Sequence, residues 1–172
     1  VNQVTIGAIK YSVLKVGTGQ NVAFDINQSV SLEGNSGPYL QYTFARTQSV
    51  IGKVQSSKIK DQSQVQSLNP EEENLLRMLV QFPSIVSEAA EKFAPNVVAN
   101  YLFELSQMFN LFYQKHKILP TSVIASEAKQ SQNMDKEVTQ EQSQFRLSLT
   151  KAVGQVIKNG LNLLGIQAPN KM

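Results

Sequence analysis

The clearest pattern in the chain begins at Pro95, where Val98, Tyr101, Leu102, Leu105, Met108, Phe109 and Phe112 recur at three-, four- and seven-residue steps. That spacing predicts a helix with one continuous apolar stripe. A second helix is predicted to start at Asn69-Pro70-Glu71. Asn69 suits a cap, Pro70 suits the first turn, and Glu71, Glu72 and Glu73 suit the positive end of the helix dipole. The glutamate run is explained there by dipole and solubility chemistry. This helix should carry Leu75, Leu76, Leu79 and Val80 inward, and Pro83 should start or kink a further segment, Ser84 to Phe93. Gln144 to Leu164 is predicted as the last helix. Phe145, Leu149, Ala152, Val153, Val156, Gly160, Leu163 and Leu164 form its apolar face, and Gly165 ends it before a short tail, Ile166 to Met172.

The first third of the chain is more broken. Ile6 to Leu14 has mixed helical spacing, and Asn21-Val-Ala-Phe-Asp25 is compatible with one short strand. Gly34, Gly37 and Pro38 punctuate the chain before a helix predicted from Pro38 to about Val54, with Leu40, Phe44 and Ile51 turned inward. Two polar stretches separate the helical blocks. Residues 55–69 are a linker, and residues 117–143, rich in Gln and Ser, are a flexible insertion without the periodicity needed to pack. The second stretch is also similar to translated mobile repeats found inside unrelated bacterial proteins. The fold class is therefore mainly α: a helical bundle over residues 38–172, preceded by a short α/β piece over residues 1–37.

Composition narrows the function classes. A hydrophobic fraction of 41% in 172 residues supports a real core, and the absence of cysteine excludes disulfides and thiolate metal sites. No apolar run reaches the roughly 20 residues needed to span a bilayer. Val1-Asn2-Gln3 has neither the basic nor the apolar region of a signal peptide, so a cytoplasmic location is expected. The chain also lacks an initiator Met and is expected to be a fragment or a processed product. Net charge is only +3, yet residues 144–172 hold Arg146, Lys151, Lys158 and Lys171 with no acid. An RNA-contacting surface has this character, and so does an ordinary solvated helix face.

No catalytic constellation emerges. Gly34-Asn-Ser-Gly-Pro38 lacks the Lys-Ser/Thr of a P-loop and the spacing of a dinucleotide fingerprint. The single His116, between Lys115 and Lys117, has no second His or Cys with which to hold a metal.

Several blocks, in order and at matching spacing, resemble arginyl-tRNA synthetases. Ile6-Gly-Ala-Ile-Lys-Tyr11 is similar to the segment just after that family's nucleotide-binding core. Leu32-Glu-Gly-Asn-Ser-Gly-Pro-Tyr-Leu-Gln-Tyr-Thr-Phe-Ala-Arg46 resembles the entry to its C-terminal domain. Leu79-Val-Gln-Phe-Pro83, Ala99-Asn-Tyr-Leu-Phe-Glu-Leu105, Phe109-Asn-Leu-Phe-Tyr113, Asn159-Gly-Leu-Asn-Leu-Leu-Gly-Ile166 and the terminal Ala168-Pro-Asn-Lys-Met172 follow. The resemblance covers roughly residues 4–54, 70–116 and 144–172.

This resemblance implies an all-helical DALR anticodon-binding bundle that grips arginine tRNA, inside an enzyme that joins arginine to tRNA with ATP and Mg. The His-Ile-Gly-His and Lys-Met-Ser-Lys-Ser motifs of that chemistry are absent. The chain alone is therefore expected to hold no cofactor, to be inactive as a ligase, and to act with a separate catalytic half. Neither DNA nor a membrane is an expected partner. The resemblance places Tyr39, Tyr42, Tyr113 and Met172 near the anticodon loop, and Arg46, Lys151 and Lys158 are candidate phosphate contacts. Stacking of splayed bases on aromatic faces suits such a role. Tyr39 reads equally well as a packing residue at a helix entry. Phe112 lies on the apolar stripe, and Tyr113 lies one step off it. Two further possibilities are a helical adaptor that binds protein partners and a remnant without function.

Overall fold

The computed structural model describes residues 2–53, 67–119 and 139–172, which form six helices. These are α1 (Asn2–Leu14), α2 (Ile26–Val30), α3 (Gly37–Gly52), α4 (Pro70–Glu91), α5 (Pro95–Lys115) and α6 (Gln140–Leu163). No strand occurs among the described residues. The segment expected as a strand, Asn21–Asp25, is extended and exposed, and Asp25 instead caps α2 by accepting from the Gln28 N–H at 3.2 Å. The Asp25 carbonyl also serves the new helix, accepting from the Ser29 N–H at 3.0 Å.

Local signals set the helix starts. Ser36 accepts from the Tyr39 N–H at 3.1 Å, and Pro38 sits in the first turn of α3. At α4 the Glu72 carboxylate reaches back to the Asn69 N–H at 2.9 Å. The helix then runs unbroken through Pro83, which lies on the exposed side where water can serve the carbonyl that loses its donor. Pro83 therefore starts no separate helix. At the other end of the chain Gly165, with φ +67°, stops α6, and the Ile166 N–H bonds back to the Leu161 carbonyl at 2.8 Å.

Helices α4 and α5 form an antiparallel hairpin. Tyr101 Oη donates to the Met78 carbonyl at 2.8 Å, and Lys115 at the end of α5 reaches Glu71 at the start of α4. Helix α6 packs against α3, α4 and α5, while α1 lies on α3. Two glycines set how close these crossings come. A Cβ on Gly154 would lie 2.5 Å from Thr47 Oγ1, and one on Gly37 would lie 2.4 Å from the Gly7 carbonyl oxygen. Leu40, Phe44, Leu75, Leu102, Leu105, Phe109, Phe112, Ile157 and Leu161 are fully buried where the helices meet.

The α5 stripe is buried as predicted except for Met108, which is partly exposed. On α4, Leu75 is buried and Leu76 and Leu79 are half-buried, but Val80 is 80% exposed rather than inward. On α6 the predicted face is rotated. Leu149, Val153, Gly160 and Leu164 are buried as predicted, but Ala152 and Leu163 face solvent, while Arg146, Leu147, Thr150, Ile157 and Leu161, outside the predicted face, turn to the core. The offset is one residue, or about 100° of helix.

The inward side of α6 includes the buried pair Arg146–Glu72. Arg146 Nε donates to Glu72 Oε1 at 2.7 Å, and Nη1 donates to the Lys117 carbonyl at 2.7 Å. Arg146 is thus an internal strut and not part of a basic surface, and Glu72 is not there for solubility. The borders of the expected insertion change as well. Ile118 and Leu119 are buried, α6 starts at Gln140 instead of Gln144, and Ser143 Oγ donates to the Ile118 carbonyl at 2.7 Å. Residues 120–138 of that insertion and 54–66 of the linker region lie outside the described residues.

Candidate nucleic-acid interface

Tyr39, Tyr42, Thr43 and Arg46 fall at steps of three and four along α3, so they share one helix face. That face meets a polar line on α5 made by Ser106, Asn110 and Tyr113. The Arg46 guanidinium is the centre of the arrangement. Its Cζ lies 4.8 Å from the Tyr42 ring centroid and 5.0 Å from the Tyr113 ring centroid. Cation–π attraction to two rings, together with the fixed planar fork, favours a single placement of the side chain.

Asn110 holds that placement. Its Oδ1 accepts from Arg46 Nη1 at 2.5 Å, while its Nδ2 donates to Tyr39 Oη at 2.9 Å and to Thr43 Oγ1 at 3.1 Å. Arg46 Nη2 also donates to Tyr42 Oη at 3.1 Å. Tyr39 packs edge-on against Phe103 with centroids 5.8 Å apart, and Tyr113 packs beside Phe109 at 6.3 Å. The core aromatics of α5 thus fix one side of the cluster, and Tyr113, 40% exposed, presents the other side to solvent.

No carboxylate lies within ion-pair distance of Arg46 among the described residues. The cluster therefore presents an uncompensated cation, with further N–H donors available, beside open aromatic surface. Such a surface can accept an unpaired base by stacking and an anionic or carbonyl oxygen by hydrogen bonding.

Comparison with known proteins decides the family. The model of the DALR anticodon binding domain matches residues 40–172.

The chain belongs to the DALR anticodon-binding domain family.

Arginine–tRNA ligase of Bacteroides thetaiotaomicron is 34% identical over 172 residues, covering 98% of this chain and 26% of that protein. The arginine–tRNA ligase of Latilactobacillus sakei is 35% identical over 170 residues, covering 99% and 27%. Thermus thermophilus arginyl-tRNA synthetase superposes with a TM-score of 0.79 at 32% identity, covering 99% of this chain and 27% of that one. The chain thus spans about a quarter of the length of the relatives it matches.

The structure brings together four of the seven candidate residues: Tyr42, Arg46 and Tyr113 within the DALR match, and Tyr39 just before it. Lys151 and Lys158 lie on the solvent side of α6, seven positions apart, and Met172 is half-exposed at the end of the tail. No hydrogen bond, ion pair or ring contact joins these three to the cluster among the described residues. Asn110 was not among the candidates, although it organises the cluster. Its signal was a polar residue beside the stripe, at steps of three and four from Tyr113 and Ser106. His116 is structural in its contacts, stacking near Phe112 at 5.4 Å and lying 3.2 Å from Glu71.

Among the described residues no helix is long and apolar enough to cross a membrane, and no group of His, Asp or Glu side chains gathers to hold a metal ion.

Proposed function

We propose that this domain binds the anticodon arm of arginine tRNA, as the recognition part of a cytoplasmic arginine–tRNA ligase. The observation that carries this is the Arg46 guanidinium held between Tyr42 and Tyr113 with no carboxylate partner. In this reading an unpaired anticodon base stacks on the open face of Tyr113 and meets Arg46. Tyr39 and Asn110 hold the cluster in shape, and Tyr42 both supports Arg46 and borders the site. Lys151 and Lys158 contact phosphates, and Met172 closes over the loop. Sequence-specific RNA recognition uses such splayed, unpaired bases. The likeness to arginine–tRNA ligases supports tRNA for arginine as the partner.

ATP, Mg and arginine bind, in the same reading, to parts of the ligase outside these 172 residues. The chain alone then forms no arginyl-adenylate, and arginine-dependent pyrophosphate exchange by the pure chain would contradict that. The deciding experiment is an anisotropy titration at stated salt against arginine tRNA and an anticodon-swapped version. Preference for the arginine tRNA supports the function, and equal affinity for the two overturns it.

A further inference from the structure

Where the chain leaves α6, side chains from its other end take hold of the backbone. Lys10 Nζ donates to the Gly165 carbonyl at 2.5 Å, and Gln41 Nε2 donates to the Gln167 carbonyl at 2.8 Å. Ile166 is buried between these two bonds, and Ala168 packs against the core just beyond them. From Pro169 to Met172 no hydrogen bond or ion pair to the described residues holds the chain. The course of the tail is therefore set at Gly165 to Ala168. Of the two anchors there, the Lys10 bond is exposed and competes with water, whereas Gln41 is fully buried.

The Gln41 amide is held as well as holding. Nε2 also donates to the Gln3 carbonyl at 3.2 Å, and Gly7 makes room for it, since a Cβ there would lie 2.8 Å from Nε2. Its Oε1 has no partner among the described residues. A buried acceptor left unmet is unfavourable, and an apolar side chain would fill the same space without it. What the amide supplies instead is direction. Burial of Ile166 and Ala168 is non-directional, whereas an N–H bond weakens steeply off line and so fixes one carbonyl in one place. Gln41 also adjoins Tyr42 on the helix that carries Arg46. Helix α3 thus presents the aromatic and cationic cluster on one side and the anchor of the tail on another, in fixed register.

We propose that Gln41 is a positioning residue: by holding the Gln167 carbonyl it sets the course of residues 168–172, and so brings Met172 to the anticodon loop. The delivery of Met172 rests on the proposed function, in which that residue closes over the loop. The hold on the tail does not, and it is tested without RNA.

The chain has no cysteine, so Ser148→Cys on the exposed side of α6 and Lys171→Cys in the tail can carry one pair of spin labels. Gln41→Met is close in volume and removes both bonds. The expected result is one narrow label-to-label distance with Gln41 and a distribution about twice as broad, or more, with Gln41→Met, because a chain end is ordered only where it is tied down. Equal widths overturn the proposal. Should Gln41→Met not melt cooperatively, Gly7→Ala displaces the same amide from the α1 side and is read against the same outcomes.

Anisotropy titrations against arginine tRNA and an anticodon-swapped version then compare the unlabelled chain with the same variant, with a chain lacking Met172, and with both changes together. The variant should reduce the preference for arginine tRNA by about fivefold or more, and should add nothing in the chain lacking Met172. A positioning residue acts only through the residue it positions, whereas a general loss of structure would add to the trimming. An unchanged preference, or losses that multiply, overturns the delivery of Met172. A wild-type chain without any preference overturns the proposed function instead, and the label distances alone then decide whether Gln41 holds the tail.

Discussion

Arg146 Nε and Glu72 Oε1 meet at 2.7 Å across 74 positions of sequence, with side chains only 7% and 4% exposed. The same carboxylate caps α4 through its second oxygen, and the same guanidinium bonds the Lys117 carbonyl. One ion pair thus joins the start of α4, the segment after α5 and the start of α6. Removing one partner leaves a buried charge without compensation, so Glu72→Ala or Arg146→Ala should cost about 3–5 kcal/mol. Replacing both with apolar residues of similar volume should recover most of that loss. Urea unfolding of the two single variants and the double variant checks this, and a double variant as unstable as the singles would contradict it.

Next to this pair, Glu71 sits against Lys115 at 2.7 Å and His116 at 3.2 Å. Hydrogen bonds from Lys115, from its own backbone and from His116 hold its carboxyl down at about 2, from an ordinary value of 4.5. A depressed carboxylate adds stability that is fully present above the unfolded value and is lost as pH falls through the folded one. Between pH 4.5 and about 2 the wild type should therefore lose stability that Glu71→Gln does not lose. Melting curves across that range test it, and parallel curves for the two proteins would refute it.

Phe93 occupies the turn between α4 and α5 with φ +50°, a left-handed conformation, and its side chain is 84% exposed. The Ala94 N–H bonds back to the Ala89 carbonyl at 2.9 Å, so the backbone has reason to adopt this conformation. Glycine there would relieve about 1–2 kcal/mol of strain against an entropic cost of about 0.5–1 kcal/mol. Phe93→Gly is expected to raise the melting temperature, with a net gain of about 0.5–1 kcal/mol. A fall in melting temperature would show that the exposed ring contributes packing.

Recognition should divide by residue. Lys151→Ala and Lys158→Ala should each weaken binding to all tRNAs alike and reduce the salt slope by about 1. Tyr113→Ala, or trimming Met172, should reduce the preference for arginine tRNA, by about 1–3 kcal/mol where a stacked base is lost. Asn110→Ala should act on the same preference through Arg46, which it positions at 2.5 Å. Equal losses on arginine tRNA and an anticodon-swapped version, with folding intact, would remove these residues from anticodon reading.

Much of the fold was legible along the chain because caps, stripes and stops are local. Ser36, Asn69 and Gly165 act on groups within five residues, and the α5 stripe repeats from Val98 to Phe112, over about four turns. The family, too, could be recognised from short blocks in order. The site was half legible. The periodicity of α3 could put Tyr39, Tyr42 and Arg46 on one face, but nothing local says that Asn110, 64 positions from Arg46, completes it.

What the sequence by itself determined is therefore the approximate course of the long helices and the domain family. What only the tertiary structure decided is how those helices are turned. A hydrophobic period reports which residues share a face, but not how far that face is turned toward the core. On α6 the polar Arg146 is inward, paired with Glu72, and on α1 Tyr11 is inward at Asn35 and Ala99, with Ile6, Ile9 and Val13 outside. Both choices depend on partners far away in the chain, and such partners meet only once the core has closed.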